Sequence, residues 1–354
     1  MTNDQKPVPF GIGCVIFELN DRGNPPWQEA VASTLSAIPG IYDVKFELGI
    51  VLPQEAQAGS GYYPTRGMLM FRLHVPADQK RDFFLPDPFQ TDVEDFTIFT
   101  YFRYYEPVTF VIPQGSTSVR DAVSGVMLLT QYLQRQFAER DYPVDLRVVG
   151  PSPFHVDSCV KPGRTNQDFE LSRGPSHGYD EFSFIYSKKR YKSSSEAAVH
   201  LFASISEELS LFYSLMSRQL DSGAESHQIT TLTQALVDIY QDSSFKARVL
   251  RVITSSAKMR RVTLKAVLAE YEARNDERAA RRQIQELYES DAVPYFKDFL
   301  ENEVDSNYTS HIAAARDVVS LLDQARQRQV ATTSLFLSAI AGGLAGALIS
   351  LLVH

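Results

Sequence analysis

Apolar and polar residues alternate along two segments near the N-terminus, and this alternation predicts strands with one buried face. The apolar positions of the first segment are Tyr42, Val44, Phe46, Leu48, Ile50 and Leu52. Those of the second segment are Leu69, Phe71, Leu73 and Val75. Residues 10–19 are apolar on both faces, which predicts a central strand. Further strands are predicted near residues 96–105, 108–112, 144–149 and 182–187.

Apolar residues at helical spacing predict two helices between these strands. The first helix carries Trp27, Val31, Leu35 and Ile38. The second carries Val119, Val123, Val126, Leu133 and Phe137, with Ser118 and Asp121 as a capping pair. Residues 151–179 are rich in proline, glycine and serine and predict a long loop. The order of elements predicts an α+β domain over residues 1–192, with two helices on a mixed, mainly antiparallel sheet.

The pattern changes to long helical stripes from Ser193 onward. Ser193 and Glu196 have the spacing of a capping box, and Gly223 is predicted to end the helix that follows. Further helices are predicted at residues 229–239, at residues 249–288 and from Pro294 onward. We therefore expect an α-helical domain with coiled-coil character over residues 193–330. No stop signal follows Pro294, so the last helix is predicted to continue into the C-terminal segment.

Residues 334–353 contain no charged residue and no proline. At a helical rise of about 1.5 Å per residue they span about 30 Å, the thickness of a bilayer's hydrocarbon core. This predicts one C-terminal transmembrane helix in a single-pass, tail-anchored protein. The N-terminus has no signal-peptide pattern, and Arg316, Arg326 and Arg328 precede the apolar segment. The positive-inside rule then places the N-terminal bulk in the cytoplasm, at the cell inner membrane.

Small residues form one face of this predicted membrane helix. They are Ser338, Gly342, Gly343, Gly346 and Ser350. Helices associate in lipid where small residues let their backbones approach closely, so this face predicts self-association and a homo-oligomer. Two other interpretations stay open: a generic apolar anchor without a specific interface, and a buried helix of a soluble protein.

The chain has 354 residues, 44% hydrophobic content and a net charge of −8, which argues against general nucleic-acid binding. Its two cysteines, Cys14 and Cys159, form neither a disulfide framework nor a zinc pattern. Residues 243–282 carry eleven Lys or Arg against four acids, and residues 283–305 carry one Lys against seven acids. Two paired helices explain this asymmetry, and a basic stripe for anionic lipid or a nucleotide is the alternative.

No standard catalytic or cofactor motif occurs, so neither a catalytic residue nor a cofactor nor a metal is predicted. The closest approach to a metal site is His155, Asp157 and Cys159, with His177 in the same region. All four are plausible ligands, and the first three would project to one side of an extended segment. Alternating polar residues in a loop are the other interpretation. Residues 96–110 hold seven aromatics, which predict core packing, with a ligand pocket as the alternative.

These features predict that the chain is a membrane-anchored, non-enzymatic cytosolic sensor or effector that oligomerises through its C-terminal helix. Its partners would be the lipid bilayer, further copies of the chain, and a cytosolic protein or small-ligand trigger. Clustered tails that perturb a membrane are typical of bacterial antiviral defence effectors.

Two other functions stay open. An N-terminal α/β domain, a helical region and a long stalk entering the membrane are similar in layout to CorA-type magnesium channels. That resemblance implies an ion-channel-type subunit, but this chain has one predicted span and lacks the family's Gly-Met-Asn tripeptide. The last alternative is a membrane-anchored, metal-dependent nuclease or nucleotide hydrolase, with His155, Asp157 and His177 as its candidate residues.

Overall fold

Ten strands and six helices make up the part of the chain described by the computed structural model. The strands are β1 (Val8–Gly13), β2 (Val15–Leu19), β3 (Ile41–Val51), β4 (Arg66–His74), β5 (Asp95–Phe102), β6 (Val108–Pro113), β7 (Val144–Val148), β8 (Asp157–Gly163), β9 (Phe169–Ser176) and β10 (Tyr179–Ser187). The helices are α1 (Trp27–Ala37), α2 (Ala77–Lys80), α3 (Val119–Glu139), α4 (Ser194–Gln241), α5 (Phe245–Glu289) and α6 (Lys297–Asp305). The described residues are 6–20, 26–52, 62–80, 91–150, 153–154, 157–176, 179–241, 245–289, 293–305, 317, 318, 320, 321, 324, 327, 328 and 338.

Eight strands form one sheet in the order β3-β4-β5-β6-β1-β8-β10-β9, while β2 and β7 pair separately. Neighbouring strands are antiparallel except β8 and β10, which run parallel. The predicted mixed, mainly antiparallel sheet is therefore confirmed. The chain has a sheet-rich N-terminal region with helices and a helical C-terminal part, so the α+β prediction is confirmed at that level.

Helices α1 and α3 cover one face of the sheet. The predicted stripe of α1 is confirmed, because Trp27, Val31 and Leu35 are fully buried in the core that also contains apolar residues of β3 to β6. The Trp27 indole donates a hydrogen bond of 2.8 Å to the carbonyl of Phe17, which joins α1 to β2. The Tyr132 hydroxyl donates one of 2.6 Å to the carbonyl of Pro39, which joins α3 to the end of the α1 segment.

Helix α3 packs directly on the backbone of β1. A Cβ atom at Gly11 would lie 2.4 Å from Val126 Cγ2 and 2.5 Å from the carbonyl oxygen of Ala122. At Gly13 it would lie 3.0 Å from Val126 Cγ1. These glycines therefore allow a helix to approach a strand closely, and this close packing explains why glycine occurs at both positions.

The first part of α4, together with α6, covers the opposite face. Phe202 of α4 stacks on Phe110 of β6 with ring centroids 4.2 Å apart and planes 7° from parallel. Phe299 of α6 lies 5.9 Å from Phe182 of β10 between ring centroids. The sheet thus lies between two helix layers, and each layer buries one apolar face of the sheet.

The structure corrects the loop predicted over residues 151–179, since β8 and β9 lie within it. β9 is the edge strand of the sheet, where Gly174 and Pro175 are tolerated because one side of the strand needs no ladder partner. The composition suggested a loop because the glycine and proline signals of an edge strand and of a loop are the same.

Three local predictions are also wrong. Gly223 does not end a helix, because α4 continues to Gln241; one glycine costs a helix only about 1 kcal/mol. Tyr42 is 43% exposed, because an irregularity with Asp43 at φ 56° shifts the register of β3. Ser118 makes no side-chain capping bond, and Ser116 Oγ instead donates a hydrogen bond of 2.5 Å to Asp121.

The chain divides into two compact units. Unit 1 comprises Met1–Ser217 and Leu287–Glu303, and unit 2 comprises Arg218–Glu286 and Val304–His354. Among the residues that the structure describes, no helix combines the length and the apolar character that a membrane span requires. The predicted transmembrane segment, residues 334–353, lies outside the described residues apart from Ser338.

Candidate functional site

Polar side chains meet on strands β8 and β10, on the sheet face that also packs against α3. Asp157 and Cys159 of β8 stand opposite Glu181 and Ser183 of β10 in the parallel register. The ammonium group of Lys161 donates a hydrogen bond of 2.8 Å to Ser183 Oγ. That hydroxyl in turn donates one of 2.9 Å to Glu181 Oε1. The sequence candidates Asp157 and Cys159 therefore belong to a two-strand polar cluster rather than to a loop.

The chemistry of this β8–β10 cluster is that of a satisfied polar network. Ser183 is buried, and its hydroxyl both accepts and donates a hydrogen bond. Burial raises the pKa of the Cys159 thiol above its usual value, and this outweighs the opposing effects of Ser183 and Lys161. The thiol is therefore protonated at neutral pH and is a weak nucleophile.

The structure brings only part of the predicted metal candidates together. Asp157 and Cys159 share one face of β8, whereas His155 and His177 lie outside the described residues. Among the residues that are described, no group of three His, Cys, Asp or Glu side chains is arranged to hold a metal ion. Of the predicted tail residues, Ser338 is helical and exposed; Gly342, Gly343, Gly346 and Ser350 lie outside the described residues.

A cleft of about 310 Å³ lies between α3 and the chain segments at the ends of β1 and β7. The described residues that line it are Gly13, Cys14, Val126, Met127, Thr130, Gln131, Gln134, Val148, Val149 and Gly150. None of them is charged, and the side-chain oxygen of Gln131 is buried without a hydrogen-bond partner in the described part of the chain. A neutral ligand that donates a hydrogen bond suits such a lining.

Cys14 lies in the wall of this cleft as a buried, unpaired thiol. Burial raises its pKa well above the usual value, and the negative charge of Glu106 adds to the effect. The residues that line the cleft therefore carry no ionised side chain, and the Cys14 thiol is buried and protonated. This is a surface for binding rather than for nucleophilic attack.

Arg147 of β7 forms hydrogen bonds with three other parts of unit 1. It donates hydrogen bonds of 2.7 Å to Glu18 on β2, 3.1 Å to Glu106 after β5, and 3.0 Å to Ser217 on α4. Burial alone would lower the pKa of Arg147, but Glu106 and Glu18 outweigh it and raise that pKa. The guanidinium group is therefore charged at every accessible pH and keeps these elements together.

Glu208 of α4 is a buried carboxyl group with three hydrogen-bond donors around it. It accepts hydrogen bonds of 2.7 Å from the Tyr288 hydroxyl, 3.1 Å from the Tyr295 amide and 2.9 Å from the Phe296 amide. Its residue is only 4% exposed, and burial is the main cause of a pKa above its usual value. One carboxyl group thus fastens the end of α5 and the start of α6 to α4.

The aromatic segment between residues 96 and 110 is mostly core. Phe96, Tyr101, Phe102 and Phe110 are buried, which confirms the core prediction for them, while Tyr104 is 81% exposed. Arg103 donates hydrogen bonds of 2.7 Å to Ser206 Oγ and 3.1 Å to the Ala203 carbonyl, both on α4. The Arg103 guanidinium group thus fastens α4 to the sheet, and the alternative of a ligand pocket along this aromatic segment stays untested.

Sequence reasoning missed the cleft, Arg147 and Glu208. Glu208 had a visible signal, because an acidic residue stands on the apolar stripe of α4 that includes Ile205 and Phe212. A charge at such a position requires a buried partner. The cleft and Arg147 had no comparable signal, since each is assembled from segments far apart in the chain.

No protein-family model matches the chain, and neither a curated protein nor a solved structure matches it. Any functional proposal therefore depends on the residues and contacts of this chain.

Proposed function

We propose that the chain is a membrane-anchored, non-enzymatic cytosolic sensor or effector. In this proposal unit 1 recognises a trigger in the cytoplasm. The C-terminal segment, Ser334–Val353, is a single transmembrane helix in the cell inner membrane. Copies of that helix associate, and their association perturbs the bilayer in a manner suited to antiviral defence.

The observation that carries the proposal is the way α4 is fastened. Its first part contacts the sheet through Arg103, Arg147 and the Glu106 carbonyl, which accepts a hydrogen bond of 2.6 Å from Ser210. The same helix continues without a break to Gln241, a total of 48 residues or about 72 Å at the usual rise. A displacement of the sheet layer would therefore act directly on the first part of α4, the helix with which the helical part of the chain begins.

The cleft beside α3 supports a small neutral trigger. Its lining offers amide, hydroxyl and apolar groups without a charge, and the unpaired oxygen of Gln131 requires a donor. Because α3 packs on β1 without intervening side chains at Gly11, a ligand that separates α3 from this strand would also shift the sheet. Filling the cleft with Met127→Trp is expected to remove the response to the trigger.

The membrane part of the proposal depends on the tail sequence. Residues 334–353 are long enough to span a bilayer, and Ser338, Gly342, Gly346 and Ser350 recur every four residues on one face. Larger side chains at Gly342 and Gly346 would separate two helices that approach through this face.

Dye leakage from cells with induced expression tests the proposal. The full chain is expected to raise membrane permeability, and Gly342→Leu combined with Gly346→Leu is expected to abolish that rise. The matched control is Leu344→Ile combined with Leu348→Ile, which changes the bulky face without changing volume and should retain activity. Unchanged permeability with the full chain, or full activity of the glycine double variant, would contradict the proposal.

A channel-type subunit is the second candidate, and one structural observation favours it. A sheet-rich N-terminal region followed in the chain by two helices of 48 and 45 residues is similar to the layout predicted from the resemblance to CorA-type channels. Divalent-cation flux into vesicles containing the full chain distinguishes the two functions. Selective flux of a divalent cation would favour the channel, and leakage of large dyes would favour the effector.

A further inference from the structure

An apolar stripe lies exposed on helix α5 within unit 2. Leu264, Val267, Leu268 and Tyr271 are 60%, 46%, 49% and 64% exposed. Their spacing of three, one and three residues puts all four on one face of the helix. Isolated exposed apolar residues are ordinary, but a contiguous stripe of four marks an interaction surface.

The opposite face of α5 is already used within the chain. Ala269, Ala280 and Ile284 are buried, and they lie about half a helical turn away from the stripe. The stripe is therefore not the face by which α5 packs in its own unit. Its apolar side chains are available to a partner.

Charge beside the stripe identifies the partner. Arg261 and Glu272 are exposed on the same flank, and neither forms an ion pair among the residues that the structure describes. In an antiparallel helix pair centred between Val267 and Leu268, Arg261 lies about 10 Å from the centre and Glu272 about 7 Å from it. Arg261 of one copy would therefore lie beside Glu272 of the other, whereas in a parallel, in-register pair these two residues would lie about 16 Å apart along the axis.

The charge of the whole helix favours the same direction. Residues 245–265 carry seven Lys or Arg and no acid, while residues 266–289 carry four Lys or Arg and six acids. Antiparallel pairing puts the basic half of one helix against the acidic half of the other. Parallel pairing would put seven cations against seven cations.

We propose that α5 binds a second copy of the chain as an antiparallel helix pair, centred between Val267 and Leu268 and joined by the stripe. This contact lies outside the tail and goes beyond the proposed membrane function. A short stripe buries little area, so copies already brought together in one membrane would pair more readily than copies in dilute solution.

Disulfide cross-linking of the full chain in detergent tests this geometry. The native Cys14 and Cys159 are buried, so the wild-type chain should give no cross-linked dimer. Val267→Cys lies near the twofold axis and is expected to cross-link. Leu264→Cys would sit about 10 Å along the axis from its own copy, beyond the roughly 7 Å that a disulfide bridges, so it should cross-link at least about tenfold less. Mixing Leu264→Cys with Tyr271→Cys is expected to restore cross-linking between the two variants.

The contrary outcomes are distinct. Efficient cross-linking of Leu264→Cys alone would indicate parallel pairing. No cross-linking in any variant would show that α5 does not bind a second copy of the chain. Each of these results overturns the proposal. Arg261→Glu should weaken the Val267→Cys cross-link, and adding Glu272→Arg should restore it. Cross-linking that survives Gly342→Leu with Gly346→Leu would separate this contact from tail association.

A lipid surface is the competing occupant of the stripe. A polarity-sensitive fluorophore attached through Val267→Cys distinguishes it in vesicles of phosphatidylcholine with or without phosphatidylglycerol. The proposal expects the same emission in both. A blue shift only with phosphatidylglycerol, together with absent cross-linking, would assign the stripe to anionic lipid and overturn the proposal.

Discussion

Unit 1 and unit 2 use their apolar and charged residues differently. In unit 1 the large apolar side chains fill both faces of a sheet, and the half-buried Arg147 and the buried Glu208 have several partners each. In unit 2 a contiguous apolar stripe on α5 is exposed, although the opposite face of the same helix is buried. Unit 1 therefore buries its large apolar groups against its own elements, whereas unit 2 carries an apolar surface that only a partner would bury.

The same contrast applies to the charges. Arg274 and Arg281 of α5 pair with Glu270 and Glu277 one turn earlier, and both arginine side chains are more than half exposed. Pairs within one helix that have an exposed member contribute little energy. Glu208 instead accepts three hydrogen bonds in an enclosed site. Substitutions at buried charges of unit 1 should therefore change stability, and substitutions on the stripe should change association.

The largest effect is expected at Glu208. Glu208→Ala leaves the Tyr288 hydroxyl and the Tyr295 and Phe296 amides without their acceptor, and should lower the free energy of unfolding of unit 1 by about 3 kcal/mol. The single tryptophan, Trp27, lies in the core of unit 1, so its fluorescence during urea unfolding reports this loss. The neighbouring Glu207→Ala is the control; this side chain is exposed, and its change should stay within about 0.5 kcal/mol. Equal effects of the two variants would contradict the role of Glu208.

A smaller loss is expected at the contact between β1 and α3. Gly11→Ala introduces a Cβ atom 2.5 Å from a backbone oxygen that cannot move without displacing α3. We expect a loss of about 2 kcal/mol in the same fluorescence measurement. Gly174→Ala on β9 is the matched control, because nothing lies within 4 Å of its Cβ position. Wild-type stability of Gly11→Ala would mean that α3 does not pack directly on the strand.

Low pH should stabilise the fold of unit 1 through Glu208. Burial raises the pKa of this carboxyl in the folded state above its usual 4.5, so folding favours the protonated form. Its contribution is fully present below about pH 4.5 and is lost as pH rises through the raised folded-state pKa. The difference in unfolding free energy between the wild type and Glu208→Gln should therefore fall as pH rises over that window. A difference that grows with pH would show that the carboxylate form is the one the fold prefers.

The smallest effect on stability is expected on the α5 stripe. Leu264→Ser with Leu268→Ser removes exposed apolar groups, so the unfolding of unit 1 should change by less than about 0.5 kcal/mol. The dimer fraction of the full chain in detergent should nevertheless fall. Loss of unit 1 stability in this variant would contradict the distinction between the buried apolar core of unit 1 and the exposed apolar stripe of unit 2.

Elements with a regular apolar pattern were predicted from the sequence, whereas elements that depend on tertiary contacts were missed. The stripe of Trp27, Val31 and Leu35 and the paired alternation of β3 and β4 were sufficient for those elements. β8 and β9 were missed because their pairing supplies the stability that their proline- and glycine-rich composition does not. The candidate site residues Asp157 and Cys159 lie on one face of β8, in a segment for which the sequence predicted a loop. Their cross-strand neighbours Glu181 and Ser183 follow from the parallel register of β8 and β10, which the local sequence does not encode.

Membrane attachment is the claim on which the proposed function depends most directly. The measurement is extraction of cell membranes with alkaline carbonate after expression of the full chain, beside a chain that ends at Gln329. We expect the full chain to stay in the membrane pellet and the shortened chain to appear in the supernatant. A full chain found in the supernatant would contradict the anchor, and with it the proposed membrane effector.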